Sequence, residues 1–485
     1  MLNVEMLHNR LINGQKIESE FRFISDETTQ DIYNLLINIL SYFDQLFLAE
    51  IISTILKELL MNAVKANAKR LFFQRRNLII ENLQHYKLGM SEFLNEVTYK
   101  WDEQKDFIEE SEYYVRLEIL PSEESLGFRV TNNSSILPEE LERIKKRIES
   151  AKKYNDLSDA FLDLSDNQES AGLGIILTQV LLKNSGIGTE KFRIDSDEKQ
   201  TVASLDIPKN AIPKVMHSKF NEKILNEIET IPQLPQSLHR IISLCNNPEA
   251  EMQSIATEIE KNPALSAELL KLSNSTLFLT RNKVSNILTA IKIVGLKNIK
   301  NMLYVSGVRK LLSNRYGKVQ HIWEHSNKCS VFAREIAFNY GKSKLMDLAS
   351  IGGLLHDIGK LILLSLDKNL IKQMDNLIEK ANIHSVLIEE VSLGISHAEI
   401  GSVLAKKWAF PDELVDIIAY HHRPFLAPDS DREVTEIVYL ANKMVDVLSG
   451  VASYYTIDKK ILETYGLDDI DKFNRYTAKL NSKYI

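Results

Sequence analysis

Apolar residues recur at three- and four-residue intervals from Asp26 to Asn67: Ile32, Leu35, Leu36 and Leu40, then Ile51, Ile55 and Leu59. That spacing predicts two helices. The second contains KELLMNAVKAN, which sets Glu58 and Asn62 four residues apart on one face. On spacing alone, a plain solvated face is the simpler account. Before these helices, FRFI at 21–24 reads as a short strand, and after them 75–112 reads as mostly helical and highly charged. Two alternating runs follow, YVRLEIL at 114–120 and LGFRV at 126–130, and the PSEES between them suits a hairpin. Thr131-Asn132-Asn133-Ser134-Ser135 reads as a polar turn, and 138–169 as a charged helical segment without a strong apolar stripe. Ser170-Ala171-Gly172-Leu173-Gly174 then opens an apolar helix over 175–182. Residues 191–196 and 201–207 read as a closing hairpin ended by Pro208.

From Ile231 onward the pattern is almost entirely helical. Helices are predicted through SLHRIISLC, MQSIATEIEKNP and ALSAELLKLSNS, then as a pair, 285–293 and 296–303, around Gly295. The polar, proline-bearing stretch 209–224 between the two patterns marks a domain boundary.

Composition narrows the picture. A chain of 485 residues with 44% apolar and 26% charged content is ordinary for two or three globular domains. The 59 basic and 66 acidic residues give a net charge of −7, which argues against a broad nucleic-acid surface. The two cysteines, Cys245 and Cys329, stand far apart, so neither a disulfide framework nor a zinc-cysteine site follows, and a reducing cytoplasm fits. The start of the chain has no signal-peptide pattern, and no run of about 18 apolar residues predicts a membrane span.

The candidate chemistry is concentrated in the histidines. Seven of the 11 lie between His321 and His422. His325, the pair His356-Asp357, His397 and the pair His421-His422 all fall in helices or at helix ends. Neutral imidazoles and carboxylates are what a divalent transition metal takes, and a helical bundle can aim them inward from several helices. For any one of these histidines, a buried carboxylate or a backbone carbonyl is the simpler account. The joint pattern is what points to metal.

Two resemblances give these patterns a frame. Residues 26–208 resemble the ATP-binding domain shared by histidine kinases, gyrase and heat-shock chaperones: Glu58 and Asn62 on a helix, a strand leading to Asn132-Asn133, a variable lid, Gly172-Leu173-Gly174 at a helix start, and TVASLDIP as last strand. The resemblance implies ATP with magnesium, held by Glu58, Asn62, Asn132, Gly172 and Gly174. Asn132 stands where that family places an adenine-reading Asp, Ser134 where it has a Gly, and 75–112 is an insertion. His8 lacks the neighbours of a phosphoacceptor, so a complete histidine kinase is not expected.

The second stretch is similar to the HDOD family of bacterial signalling modules, through Ile231-Pro232-Gln233-Leu234-Pro235, NPALSAELLKLSNS and AIKIVGLKNIKNM. Its histidine order resembles the wider HD phosphohydrolase superfamily. That likeness implies an iron, manganese or magnesium centre bridged by Asp357. One metal would take His397, His421 and His422, and the other His325, His356 and Asn442, where the superfamily has an Asp; Asp446 lies one turn further on. Asp357 and Lys360 would be the catalytic pair, with Lys360 near a phosphate. The Gly-Tyr-Pro segment of the cyclic-di-GMP branch is missing, since RPFLAPDSD follows His422.

The expected architecture is therefore multidomain: an N-terminal ATPase-like α/β sandwich (1–210), a linker (211–224), an all-α HD/HDOD domain (225–425) and a helical extension of it (426–485). The expected role is a cytoplasmic bacterial signal-transduction regulator that keeps a metal site. The alternative is a metal-dependent phosphohydrolase or phosphodiesterase acting on a nucleotide second messenger. The partners expected are signalling proteins and a nucleotide ligand, with neither nucleic acid nor membrane; an oligomer stays open.

Overall fold

The computed structural model describes residues 14–43, 45–93, 101, 104–154, 173–211, 219–274, 283–316, 320–363, 366, 371–372, 374 and 385–484. The chain divides into two compact units, Met1–Ser218 with Gln373–Gly394, and Lys219–Lys372 with Ile395–Ile485. The return of 373–394 to the first unit has no marker in the hydrophobic pattern.

The first unit begins with β1 (Ile17–Phe21), α1 (Asp26–Tyr42) and α2 (Ala49–Arg75). Ser25 caps α1 by accepting from the Thr28 N–H, and Asp26 and Glu27 in the first turn suit the positive end of the helix. After α3 (Leu83–Phe93) and α4 (Lys105–Glu109) come β2 (Val115–Pro121) and β3 (Ser125–Asn132), then α5 (Pro138–Ala151), α6 (Leu173–Ser185), β4 (Phe192–Ser196) and β5 (Thr201–Pro208). The strands form one antiparallel sheet in the order β1-β2-β3-β5-β4. Val115, Leu117 and Ile119 of β2 are buried while Arg116, Glu118 and Leu120 are only half-buried. This period of two leaves one face for a helical layer. α2 packs against β2 and β3, and α1 and α6 pack against α2.

The expected strand at 21–24 is displaced. β1 covers IESEF, because Ile17 pairs with Ile119 and Phe21 with Val115. Phe23 instead stacks on Trp101, with ring centroids 5.5 Å apart. In the charged segment 75–112 the described helices are short. The far part of the expected segment 138–169, and Gly172, lie outside the described residues.

The second unit is helical. It contains α7 (Lys219–Thr230), α8 (Gln236–Asn246), α9 (Met252–Glu260), α10 (Pro263–Ser273), α11 (Ile287–Val294), α12 (Leu296–Tyr316), α13 (Gln320–Asn339), α14 (Met346–Leu355) and α15 (Ile358–Leu363). The first unit's returning segment carries α16 (Ser385–Leu393). The second unit then resumes with α17 (His397–Lys407), α18 (Asp412–Tyr420), α19 (Asp429–Leu448), α20 (Lys459–Thr464) and α21 (Ile470–Tyr484). Local chemistry sets the boundaries. Asn262 caps α10 with Pro263 at its first position, and Asn286 caps α11. Gly295, at φ 79°, ends α11 in a conformation that glycine adopts without strain.

α13, α14 and α19 form the centre of the unit. Phe332, Ile336, Ile437, Val438, Ala441 and Met444 are buried between them, and Phe473 and Leu480 of α21 close the same core. The C-terminal helices are thus part of the bundle. No helix among the described residues is long and apolar enough to cross a membrane.

Candidate metal centre

Five helix segments of the second unit deliver side chains to one point. His325 lies in the second turn of α13, and His356-Asp357 follow the last turn of α14. His397 opens α17, whose cap is the Ser396 hydroxyl accepting from the Glu399 N–H. His421 and His422 follow α18, and Asn442 lies on α19. Two glycines let the backbones come close enough. A Cβ at Gly353 would stand 2.9 Å from the Cys329 carbonyl group, and one at Gly359 would collide with the His397 carbonyl oxygen.

Asp357 is the hinge of the arrangement. Its Oδ1 faces His397 Nε2 at 3.3 Å and His421 Nε2 at 3.7 Å. Its Oδ2 faces His356 Nε2 at 3.3 Å, His325 Nε2 at 3.6 Å and Lys360 Nζ at 2.8 Å. His397 Nε2 also lies 3.4 Å from His421 Nε2 and 3.0 Å from His422 Nε2. On the other side, His325 Nε2 is 3.0 Å from Asn442 Oδ1, and its Nδ1 is 4.0 Å from Asp446. Each carboxylate oxygen therefore serves a different set of imidazoles. The structure brings together His325, His356, Asp357, Lys360, His397, His421, His422 and Asn442. His321 is exposed, and His384 lies outside the described residues.

The ring orientations are fixed from behind. His356 Nδ1 donates to the Gly353 carbonyl, and His421 Nδ1 to the Ile418 carbonyl, each at 2.8 Å. That tautomer leaves each Nε2 with its lone pair turned inward. His356, Asp357, His397 and His421 are all essentially inaccessible to solvent. His356 Nε2 and Asp357 Oδ1 are buried with no hydrogen-bond partner. Buried polar atoms of this kind are rare, and a missing ion is one of the standard reasons for them.

The protonation states agree with this. Burial alone would raise the Asp357 carboxyl, but the neighbouring His356 imidazole and Lys360 ammonium outweigh it and hold it well below the ordinary range. Burial pushes His421 down to about 3, against the pull of Asp357, and drives His422 well below its usual value. Burial lowers His325 too. A carboxylate beside imidazoles that burial keeps from protonating, as at His325, His421 and His422, is a cation's donor set. With bond lengths of about 2.0–2.3 Å, two donors of one ion lie about 3–3.6 Å apart. Five of the six separations, from 3.0 to 3.6 Å, match the edges of such a coordination shell, and the sixth, 3.7 Å, lies just beyond it. The residues fit a divalent metal on their own chemistry.

Cys329 was invisible as a candidate because no second cysteine stands near it. On α13 it is one turn beyond His325, and its Sγ lies 3.4 Å from His325 Nε2. A His and a Cys four residues apart on a helix was the signal available.

The first unit has a cavity of about 410 Å³ lined by Glu58, Asn62, Asn132 and the bases Lys65, Lys69 and Arg70, among others. Asn62 Nδ2 donates to Glu58 at 2.9 Å, and Gly174 adjoins the Glu58 carboxylate so closely that a Cβ there would collide with it. Asn132 Nδ2 donates to Asn67 at 3.2 Å and to the Ser134 hydroxyl at 2.7 Å, a buried network that also lets Ser134 donate to Asn67. Of the five nucleotide candidates, Glu58, Asn62 and Asn132 line the cavity, Gly174 abuts Glu58, and Gly172 lies outside the described residues.

Comparison with known proteins adds the following. An uncharacterized protein of Treponema pallidum (strain Nichols) is 28% identical over 429 residues, 88% of this chain and 84% of its own. An HDOD domain protein with unknown function from Geobacter sulfurreducens is similar in structure at 23% identity and TM-score 0.43, covering 54% of this chain and 93% of that one. A protein from Shewanella amazonensis SB2B, provisionally named a phosphohydrolase, is similar at 21% identity and TM-score 0.42, covering 54% and 95%. Residues 231–424 match the HDOD domain family, and this part of the chain is an HDOD domain.

Proposed function

We propose that this chain is a signal-transduction regulator whose HDOD unit holds a divalent metal centre and whose N-terminal unit is an ATPase-like nucleotide sensor. One observation carries the metal part. A fully buried carboxylate turns each oxygen to a separate set of imidazoles, and two buried donor atoms are left without hydrogen bonds. Leaving such groups unsatisfied costs about 1–3 kcal/mol each, which a bound cation removes. In this reading Asp357 bridges, His397, His421 and His422 hold one ion, and His325, His356 and Asn442 the other. Iron, manganese and magnesium are the candidate ions. Such ions, when bound, supply Lewis-acid stabilisation and an activated water for phosphoester chemistry.

The chain's own residues favour holding over turnover. Asn442 is neutral, so the second position has less negative charge than a carboxylate would provide. Lys360 pairs with Asp357 Oδ2 and neutralises part of the bridge. The same contact supports the second reading, a phosphohydrolase or phosphodiesterase on a nucleotide second messenger. The Lys360 side chain is one-third exposed, so its ammonium could orient an incoming phosphate.

The test takes two measurements. Protein grown and purified with manganese or iron is expected to retain metal by elemental analysis; a metal-free chain rejects the centre. A phosphoester panel is then run on wild type and His356→Ala. Equal rates in both support the regulator and reject the enzyme, whereas turnover lost in His356→Ala establishes the enzyme and rejects a purely regulatory centre.

The nucleotide part rests on the basic excess around Glu58 and Asn62: Lys65, Lys69, Arg70, Arg143 and Arg147 line one cavity with Glu58 and Glu140 as its acids. Such a lining suits a polyphosphate. A ligand at about 100 times its dissociation constant stabilises by about 2.7 kcal/mol. For a unit of this size that corresponds to a rise of about 5–10 °C in melting temperature. ATP with magnesium is expected to produce it, and Asn62→Ala to abolish most of it. No rise, or one that survives the substitution, removes the assignment.

A further inference from the structure

We propose that Cys329 is a thiolate ligand of the second metal position, completing it with His325, His356 and Asp357 Oδ2. The proposal rests on the metal-centre reading above and adds an anionic ligand to a position whose own ligands, His325, His356 and Asn442, are neutral.

Geometry is the first argument. His325 and Cys329 are four residues apart on α13 and share its inner face. The 3.4 Å between Cys329 Sγ and His325 Nε2 falls within the spacing expected of sulfur and nitrogen on one ion, whose bonds run about 2.3 and 2.0–2.1 Å. The donor atoms of His325, Cys329 and His356 all lie within 4.8 Å of one another. Cys329 is wholly buried, and the main chain on which it sits touches the Gly353 turn of α14. The carbonyl of Gly353 is the one that accepts from His356 Nδ1 and turns His356 Nε2 inward. An independent observation sits at the same place: His356 Nε2 is fully buried and has no hydrogen-bond partner.

Charge is the second argument. Among their direct ligands, two divalent ions sharing Asp357 would have one formal negative charge, with the Lys360 ammonium 2.8 Å from the same carboxylate; the Asp446 carboxylate stands behind His325, 4.0 Å from its Nδ1. His325, His356 and Asn442 are all neutral donors. A thiolate supplies the missing negative charge without a second carboxylate. Its formation is balanced: the cation replaces the thiol proton, an S–M bond forms, and one proton goes to solvent. A soft donor also decides the ion. Thiolate with imidazole selects iron, cobalt or zinc over magnesium. The bland reading is that Cys329 only fills core space beside Phe332 and Ala333.

Cobalt(II) distinguishes the two. It is titrated into the metal-free full-length chain while visible and near-ultraviolet absorption are followed. The expected result is visible ligand-field absorption from the imidazole sites and, with it, a near-ultraviolet thiolate-to-cobalt charge-transfer band. That band is expected to persist in Cys245→Ser and to vanish in Cys329→Ser, which also releases one proton fewer per chain on loading. The chain has two cysteines, so Cys245→Ser assigns the band by elimination even where Cys329→Ser fails to fold. Cobalt absorption without the band overturns this proposal and leaves the metal centre standing. A band lost in Cys245→Ser overturns it as well. No cobalt absorption at all rejects the metal-centre reading itself, and this proposal with it.

Discussion

Chelation of metal-loaded protein is expected to lower the melting temperature of the helical unit by about 5–10 °C. The figure follows from linkage: a metal present at about 100 times its dissociation constant stabilises the fold by about 2.7 kcal/mol, and each kcal/mol moves a domain of this size by about 2–4 °C. Asp357→Asn should remove the same increment, because Asp357 offers one oxygen to each set of imidazoles. In chelator, wild type and Asp357→Asn should melt close together. If Asp357→Asn melts far below wild type in chelator, Asp357 serves packing and not metal.

Acid should act on the metal-free fold through the same residues. Burial holds His421 at about 3, below its ordinary 6.5. As pH falls below 6.5 the unfolded chain takes up a proton there and the folded chain does not. The stability is therefore complete above 6.5 and lost progressively towards 3. Melts of metal-free protein across that window should fall steadily, and a flat profile contradicts neutral buried imidazoles.

Local periodicity made most elements legible. The alternation of Val115, Leu117 and Ile119 located β2 to within one residue, since one face of the strand is buried and the other half-open. The caps Asn262 and Asn286 and the stop at Gly295 were likewise written in short stretches. What depended on distant pairing was not. β1 lies at 17–21 because its register is fixed by Ile119 and Val115, a hundred residues away. The return of 373–394 to the first unit is of the same kind.

The candidate centre divides the same way. Clustering flagged the histidines, and the structure gathers five of them around Asp357. Spacing could not reveal that Cys329 Sγ would face His325 Nε2, because a lone cysteine among Phe332 and Ala333 reads as core. Nor could it tell that Asn132 would be drawn into a network with Asn67 and Ser134, which requires α2 and β3 to meet.

Gly359→Ala is expected to lower the melting temperature by about 2–12 °C and to empty the position formed by His397, His421 and His422. Alanine in a helix ordinarily gains up to about 1 kcal/mol over glycine, so the expected sign is opposite to propensity. The reason is what the new methyl would meet. On α15 it would collide with the His397 carbonyl oxygen and approach the Gly401 nitrogen to 2.8 Å. Both are backbone atoms of α17, so no side-chain rotation can relieve the overlap. The helices must separate, at a cost of about 1–3 kcal/mol for overpacking. Separation carries His397 away from Asp357 Oδ1, now 3.3 Å distant, and from His422. Gly401→Ala is the control from the facing helix. Its methyl would approach only one atom below 3.0 Å, the side-chain Ile418 Cγ2 at 2.8 Å, and would stand 3.3 Å from the Gly359 nitrogen, so no backbone atom is met as closely. Gly401→Ala should therefore cost less and keep more metal. Melting curves with elemental analysis on both variants decide it. Equal losses, or a Gly359→Ala protein with full metal content, would show that the close approach of α15 and α17 does not set the geometry of the centre.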